Sequence, residues 1–173
     1  MTALHWANKW IQEYGGRLLR YAKKLLGNEE LAQEVVQDTF LRFLKMKRED
    51  IEDKLPEWLF HVCRNRAIDV MRRKKPGVSI EDAELKDTSS SALELLEGNE
   101  RVRKMLGEIN KLPKAHQEII RLKFQEGLSY EQIAKVTGLS SSNVGFILST
   151  SLKKVREGLG GYADEKGGRG GKN

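Results

Sequence analysis

The sequence LSYEQIAKVTGLS, at residues 128–140, contains the signals of two short helices joined by a turn. Ser129 is a favoured helix N-cap, and Gln132 three residues later completes a capping box. Ala134 is small enough for two helices to cross closely, and Gly138 can adopt the positive φ angle of a sharp turn. This spacing predicts a helix-turn-helix, which places its second helix in the major groove of DNA. An ordinary helical hairpin is the alternative.

Apolar side chains recur every three or four residues on both sides of this motif, which predicts an all-α fold without strands. A last helix is predicted from after Ser140 to about Leu159. Its buried stripe should contain Val144, Leu148, Leu152 and Val155. Further helices are predicted at about 4–26 and 28–47, from Pro56 to about Lys75, at about 92–110, and from Pro113 to near Gly127.

The first three predicted helices have expected details of their own. Gly15 and Gly16 interrupt the first pattern and are expected to kink that helix, and Gly27 is expected to end it. The second helix should bury one face, and the third should bury a stripe of apolar residues. On the third helix, Trp58 and Phe60 either join the core or stack on bases. The expected buried residues are Ala32, Val36, Phe40, Phe43 and Leu44, then Leu59, Val62, Ala67, Val70 and Met71.

Charge divides the chain into three blocks. The net charge is +5 over residues 1–75, −6 over 76–100 and +7 over 101–173, which makes +6 in all. Residues 76–91 begin with Pro-Gly and contain three consecutive serines, which favours a flexible acidic linker over the alternative of a long surface loop. The predicted organisation is two small helical domains, at 1–75 and 92–159, followed by a disordered glycine-rich tail at 160–173.

Composition excludes several classes of protein. The single cysteine, Cys63, excludes an internal disulfide and a structural cysteine-rich zinc site. The sequence contains no phosphate-binding glycine loop, metal-ligand cluster or nucleophile motif, so we expect no enzyme, cofactor or metal. No apolar run approaches the ~18–20 residues of a membrane span, and the N-terminus lacks a secretion signal. We therefore expect a cytoplasmic protein, and its basic excess permits a polyanionic partner.

One predicted helix in the first half carries a mixed acidic and apolar face. Glu34, Gln37 and Asp38 are spaced i, i+3 and i+4, so they project together, and Leu41 extends the same face. Such a patch can dock a partner protein. From spacing alone, an ordinary solvated helix face is the alternative.

The next predicted helix ends in four consecutive basic residues, 72–75. Cations stabilise a helix C-terminus by ~0.3–1 kcal/mol, but four of them exceed what capping needs, which indicates phosphate contacts. Asn65 is a poor choice for a helix interior. Its amide can pair with an adenine edge or an unstacked base, or it can bond to a backbone carbonyl.

The order of these motifs resembles the extracytoplasmic-function (ECF) sigma factors of bacterial RNA polymerase, which belong to the sigma-70 family. The resemblance covers about residues 8–159. Residues 32–42 are similar to the region-two helix that binds the β′ clamp helices of the polymerase, and residues 58–73 to the helix that opens and reads the minus-ten element. Residues 112–156 resemble region four, which reads the minus-thirty-five element.

The resemblance implies a transcription initiation subunit that binds core polymerase, directs it to promoters and helps to open the minus-ten element. The implied partners are core polymerase, through the β′ clamp helices and the β flap, and promoter DNA. An anti-sigma factor is a further candidate partner, and no membrane insertion is expected. The implied polymerase-binding residues are Glu34, Gln37, Asp38 and Leu41. The implied minus-ten residues are Lys54, Asn65, Arg66, Asp69, Arg72 and Arg73. The implied minus-thirty-five residues are Ser140, Ser141, Ser142, Asn143, Phe146, Lys153 and Lys154.

Residues 45–55 correspond in this resemblance to the family's specificity loop, which captures a base flipped from the non-template strand. Base flipping costs a few kcal/mol, which binding to polymerase and phosphates must offset. The loop offers four cations for phosphate contacts, together with four carboxylates. The cations are Lys45, Lys47, Arg48 and Lys54.

The recognition helix departs from the family pattern. Gly145, Ile147 and Thr150 occupy positions that are usually basic in the family. The loss of about three phosphate contacts would lower the slope of log K for DNA binding against log salt concentration by nearly three. In one alternative, residues 141–143 read bases with help from backbone amides at the helix N-terminus. In the other, Phe146 and Ile147 form an exposed apolar patch that binds a protein.

A second class of function remains open from the residues alone. A helix-turn-helix regulator would bind duplex DNA without polymerase, usually as a dimer. The sequence offers no obvious dimerisation helix, which disfavours this alternative. An enzyme is disfavoured more strongly, because His61 and Cys63 lie two residues apart on a helix and point in different directions.

Overall fold

The computed structural model describes residues 2–74 and 99–160, and every regular element in these ranges is helical. The first half contains α1 (Ala3–Leu26), α2 (Glu29–Phe43), α3 (Arg48–Ile51), a 3₁₀ turn (Glu52–Lys54) and α4 (Leu55–Lys74). The second half contains α5 (Glu100–Asn110), α6 (Lys114–Ile120), a π-helical turn (Arg121–Gln125), α7 (Tyr130–Thr137) and α8 (Ser141–Gly158). The predicted all-α fold is confirmed.

Helices α1, α2 and α4 pack together around an aromatic core. Phe60 is fully buried, and its ring makes edge-on contacts with Tyr14 and Tyr21, with ring centroids 6.3 and 5.3 Å apart. Phe43 contacts both Trp6 and Trp58. Phe60 therefore belongs to the core, which is the first of the two alternatives, and Trp58 is half-buried against the core.

The helix-turn-helix forms as the sequence predicts. The Ser129 hydroxyl accepts the Gln132 N–H at 3.1 Å, and the Gln132 side chain accepts the Ser129 N–H at 2.9 Å, which completes the capping box. Gly138 ends α7 with a φ of 78°, a conformation that disfavours any residue with a Cβ. Ser140 then caps α8, whose apolar side packs on α5, α6 and α7.

Several expected details are wrong. Helix α1 runs unbroken through Gly15 and Gly16, because the packing of its apolar side continues from Trp6 to Leu25. Helix α2 ends at Phe43, so Leu44 lies beyond its buried face and is 49% exposed. Along α8, Leu152 is only half-buried. The buried residues of α8 are Val144, Leu148, Ser151 and Val155.

The two halves also contact each other, which the sequence did not predict. Helix α4 packs against α7, and the buried apolar side chains of both halves form one continuous cluster. The proposed linker at 76–91, the first residues of the helix predicted at 92–110, and residues 161–173 of the proposed tail lie outside the described residues.

Candidate functional site

The predicted polymerase-binding residues share the outer side of α2. Glu34 and Gln37 are exposed, Leu41 is 58% exposed, and Asp38 is half-buried. The opposite side of the helix is fixed in the core by Ala32, Val35, Val36, Thr39 and Phe43. This packing leaves a solvent-facing strip of acidic, amide and apolar groups, which is the composition that the sequence indicated.

Asp38 is not an isolated carboxylate. Arg66 of α4 donates from Nε and Nη2 to its Oδ2, at 3.1 and 2.5 Å. The Arg66 side chain is 19% exposed and that of Asp38 is 40% exposed. A residue from the predicted polymerase-binding set is thus bonded to one from the predicted minus-ten set.

The other predicted minus-ten residues lie along α4 and at its start. Asn65, Asp69, Arg72 and Arg73 are exposed on α4, and Lys54 is exposed in the 3₁₀ turn before it. With Arg66 these residues are six, and five of them lie on α4 while Lys54 immediately precedes that helix.

Asn65 is engaged through a neighbouring histidine. Its side-chain nitrogen lies 3.1 Å from His61 Nε2, and His61 Nδ1 lies 3.4 Å from the carbonyl oxygen of Val136 in α7. Both contacts are satisfied together when Asn65 donates to Nε2 and a neutral His61 donates from Nδ1. His61 thus contacts both a predicted base-reading amide on its own helix and the second half of the chain.

The predicted specificity loop is a folded segment rather than an extended loop. Ile51 and Leu55 are buried and anchor it. Arg48 donates to both carboxylate oxygens of Glu52, at 2.9 and 2.6 Å, and this hydrogen bonding lowers the pKa of Glu52. Arg48 also lies over the Trp6 ring, 5.7 Å from its centroid. Two of the loop's charges are therefore already paired with each other.

The predicted minus-thirty-five residues begin at the N-terminus of α8. Ser140, Ser141, Ser142 and Asn143 are all exposed, and the Ser140 hydroxyl accepts the Asn143 N–H at 3.1 Å. Three more predicted residues are exposed further along α8. These are Phe146, which is 68% exposed, Lys153 and Lys154.

The apolar patch predicted at Phe146 and Ile147 is only half correct. Ile147 packs against the buried core, so it cannot form a surface with Phe146. A Cβ at Gly145 would lie 3.4 Å from the Tyr130 ring, which is van der Waals contact. Lys123 Nζ lies 5.0 Å from the centroid of the same ring.

A buried carboxylate, Glu118 of α6, joins the two halves. Its side chain is 2% exposed, and its Oε1 accepts from Tyr21 Oη at 2.6 Å and from Arg64 Nε at 2.7 Å. Burial and the Glu118 charge raise the pKa of Tyr21 well above its usual value. Arg121 lies in the same electrostatic environment, where burial lowers its pKa and Glu118 opposes that change.

A second carboxylate, Glu126, lies at the end of the π-helical turn and is also 2% exposed. Arg17 donates from Nε to its Oε2 at 2.6 Å and from Nη2 to its backbone oxygen at 2.9 Å. Arg20 donates to Oε1 at 2.9 Å. No local sequence pattern marks these residues, because their partners lie about a hundred positions away.

Within 2–74 and 99–160, no helix is sufficiently long and apolar to span a bilayer. In the same ranges, no three or more His, Cys, Asp or Glu side chains are grouped so that they could hold a metal.

Comparison with known proteins identifies the two halves. The family model of sigma-70 region 2 matches residues 10–76, and that of sigma-70 region 4 matches residues 103–155. The ECF RNA polymerase sigma factor SigM of Bacillus subtilis is 24% identical over 147 residues, which cover 84% of this chain and 90% of SigM. SigW of the same bacterium is 26% identical, over 86% of this chain and 84% of SigW.

A solved structure shares the fold. It is the sigma factor RpoE of Bartonella quintana in complex with the anti-sigma factor NepR, with a TM-score of 0.60 and 22% identity. The alignment covers 88% of this chain and 95% of that one. With region 2 and region 4 matched in order over most of its length, this chain belongs to the ECF group of the sigma-70 family.

Proposed function

We propose that this chain binds core RNA polymerase in the cytoplasm, directs it to specific promoters and helps to open the minus-ten element. The observation that carries the proposal is the pair of regions 2 and 4, matched in order at residues 10–76 and 103–155. The chain would act by binding and strand separation, without catalysing a covalent reaction. The proposed domains are 1–75 for region 2 and 92–159 for region 4, joined by a linker at 76–91.

The outer strip of α2 is the proposed docking surface for the β′ clamp helices. Glu34, Gln37 and Asp38 supply acceptors, and Leu41 supplies an exposed apolar contact. Interfaces of this kind derive most of their affinity from a few central residues. Asp38 is the proposed centre, because Arg66 already fixes its position and so lowers the entropy that docking costs.

The exposed side of α4 is the proposed minus-ten surface. Arg72 and Arg73 would contact phosphates, and Asn65 and Arg66 would contact bases. Lys54 and Asp69 complete the proposed set, in which Asp69 orients a neighbouring cation or accepts from a base. Region 4 would contact the β flap and read the minus-thirty-five element through residues 140–143 and Phe146, with Lys153 and Lys154 on phosphates.

An anti-sigma factor is a proposed further partner of this chain. The support is fold-level similarity to RpoE, which was solved with the anti-sigma factor NepR.

The experiment that tests the proposed function is co-elution with sigma-free bacterial core polymerase on a sizing column. Co-elution at a one-to-one ratio is expected. A folded, monodisperse chain that elutes separately from the core enzyme would contradict the proposal. That result would favour a helix-turn-helix regulator that binds duplex DNA alone.

The double variant Arg72→Gln/Arg73→Gln is expected to weaken binding to mixed-sequence DNA, mainly at low salt. Each lost phosphate contact lowers the slope of log K against log salt by about one, so the slope should fall by about two. Fluorescence anisotropy over a salt series measures it. The double variant Arg101→Gln/Arg103→Gln, with two exposed cations of α5, is the matched control. Equal slopes in both variants would indicate that Arg72 and Arg73 only stabilise the end of α4.

A further inference from the structure

The outer face of α8 has a phenylalanine at its centre. Phe146 is 68% exposed. At about 100° per residue, every buried position of the helix lies within about 40° of the point opposite Phe146. Those buried residues are Val144, Leu148, Ser151 and Val155. The Phe146 ring therefore projects directly away from the core, towards whatever the outer face of α8 binds.

Charged side chains are missing from the part of α8 that would contact base edges. Residues 141–150 read SSNVGFILST, without a charged residue. In a helix-turn-helix, the N-terminal part of the second helix makes the base contacts. The commonest specific contact to guanine is an arginine or lysine that donates to O6 and N7, and this stretch contains neither residue. The hydroxyls of Ser141 and Ser142 serve more than one base, so they select weakly.

Two exposed side chains in this stretch do have preferred bases. The amide of an asparagine pairs with N6 and N7 of adenine, and a phenyl ring makes apolar contact with the C5-methyl group of thymine. Asn143 and Phe146 are exposed and three residues apart, so they lie on the same side of α8. The groups that this face offers therefore match A·T base pairs.

The charge at the end of α8 favours DNA as the partner of this face. Lys153, Lys154 and Arg156 are all exposed. Lys153 follows Phe146 by seven residues, which places it about 20° from Phe146 around the helix axis. Cations aligned with the ring can contact phosphates while the uncharged part of the helix lies against bases.

The surroundings of Phe146 on α8 are polar, which favours a small apolar partner. Ile147 packs against the core, so it does not extend the exposed apolar surface. The exposed neighbours of Phe146 on the same face are Ser142, Asn143 and Ser149. A single methyl group matches one isolated ring, whereas the core of a protein interface buries a larger apolar patch.

We propose that α8 recognises a thymine of the minus-thirty-five element through contact between the Phe146 ring and the C5-methyl group of that base. This inference rests on the proposed function, which takes α8 as the helix that reads this element. It assigns an A·T base pair to the position that faces Phe146. Uracil pairs with adenine as thymine does and lacks only the methyl group, so it isolates the contact.

Replacement of thymine with uracil tests the contact on the full chain without polymerase. The two probes are duplexes of alternating adenine and thymine and of alternating adenine and uracil. Fluorescence anisotropy at low salt, where phosphate contacts alone give measurable affinity, should show about fourfold tighter binding to the thymine duplex. Burial of one methyl-sized group accounts for a ratio of about four.

Phe146→Ala should lower the ratio of the two affinities to about one. Phe124→Ala is the matched control, because it removes a ring that is 62% exposed in the π-helical turn instead of on α8. This control should keep the fourfold preference for thymine. Both rings are exposed, so both variants should keep the helical content of the unsubstituted chain, which circular dichroism measures.

The same replacement in a promoter tests the contact in the complex with core polymerase. On a promoter that this complex opens, uracil in place of the thymines of the upstream block should weaken binding by a similar factor. Phe146→Ala should make the two promoters equivalent. An upstream block without thymine would overturn the inference.

The remaining outcomes separate this inference from the proposed function. Equal thymine-to-uracil ratios in Phe146→Ala and the unsubstituted chain would overturn the methyl contact. If that ratio is unchanged and Phe146→Ala binds core polymerase more weakly than Phe124→Ala does, the ring contacts protein instead. Failure of the unsubstituted chain to bind core polymerase would contradict the proposed function, whereas the thymine preference of the free chain is measured without polymerase.

Discussion

Replacing Glu118 with alanine is expected to uncouple the two halves, with a loss of about 3 kcal/mol from the free energy that joins them. The carboxylate is buried and accepts from Tyr21 and Arg64. Arg121 Nε is also buried and has no hydrogen-bond partner. Without Glu118, the guanidinium groups of Arg64 and Arg121 keep their charge in a poorly solvated contact. Separation of the halves returns them to water.

The positions of the tryptophans make this loss of coupling measurable. Trp6, Trp10 and Trp58 all lie in the first half, so tryptophan fluorescence reports that half alone. Far-ultraviolet circular dichroism reports the helices of both halves. In urea, the two signals should change together for the unsubstituted chain and separate for Glu118→Ala, since coincident transitions are the mark of cooperative unfolding.

A double variant separates loss of charge from loss of packing. Replacing a buried ion pair with apolar residues is often neutral or stabilising, whereas removing one partner is costly. Glu118→Met combined with Arg64→Met should therefore recover part of the lost coupling, whereas Arg121 remains without its neighbouring carboxylate. If Glu118→Ala leaves both transitions coincident and unshifted, the carboxylate is solvated and the two halves do not make this contact in solution.

Asp38→Arg is expected to lower the affinity for core polymerase at least thirtyfold, which is about 2 kcal/mol. The substitution reverses a charge at the centre of the proposed docking strip on α2. It also places an arginine opposite Arg66, which now donates to Asp38. Titration of labelled chain with core polymerase measures the Kd. Glu13→Arg, the same charge change at an exposed position of α1, should leave the Kd unchanged.

The swapped variant Asp38→Arg/Arg66→Asp distinguishes docking from a structural role. The swap restores an ion pair between α2 and α4 but leaves the docking strip with the wrong charge. Weak binding should persist if polymerase contacts position 38 directly. Recovery of wild-type affinity would show instead that Asp38 only holds α4 in place.

Local chemistry explains which parts of the fold were predictable. Ser129, Gln132 and Gly138 act through backbone groups within a few residues, so the capping box and the turn could be recognised from their spacing alone. The outer strip of α2 was predictable for the same reason, because i, i+3 and i+4 spacing fixes a common face. The ion pair between this strip and α4 could not be predicted from spacing, since Asp38 and Arg66 lie on different helices.

The contact between the halves could not be predicted from spacing. Glu118 and Glu126 resemble solvated carboxylates in the sequence, and only the packing of α1 and α4 makes them buried acceptors. In each case the hydrogen-bond donor lies on a distant helix and not three or four residues away, so only the tertiary structure identifies it.

Mapping of RNA 5′ ends tests the sigma assignment most directly. Core polymerase would transcribe the source bacterium's genomic DNA with and without the purified chain. New start sites are expected, each preceded by two shared sequence blocks about 25 base pairs apart, and they should vanish with Asp38→Arg. Start sites identical to those of core polymerase alone, with the folded chain present in excess, would contradict the sigma assignment.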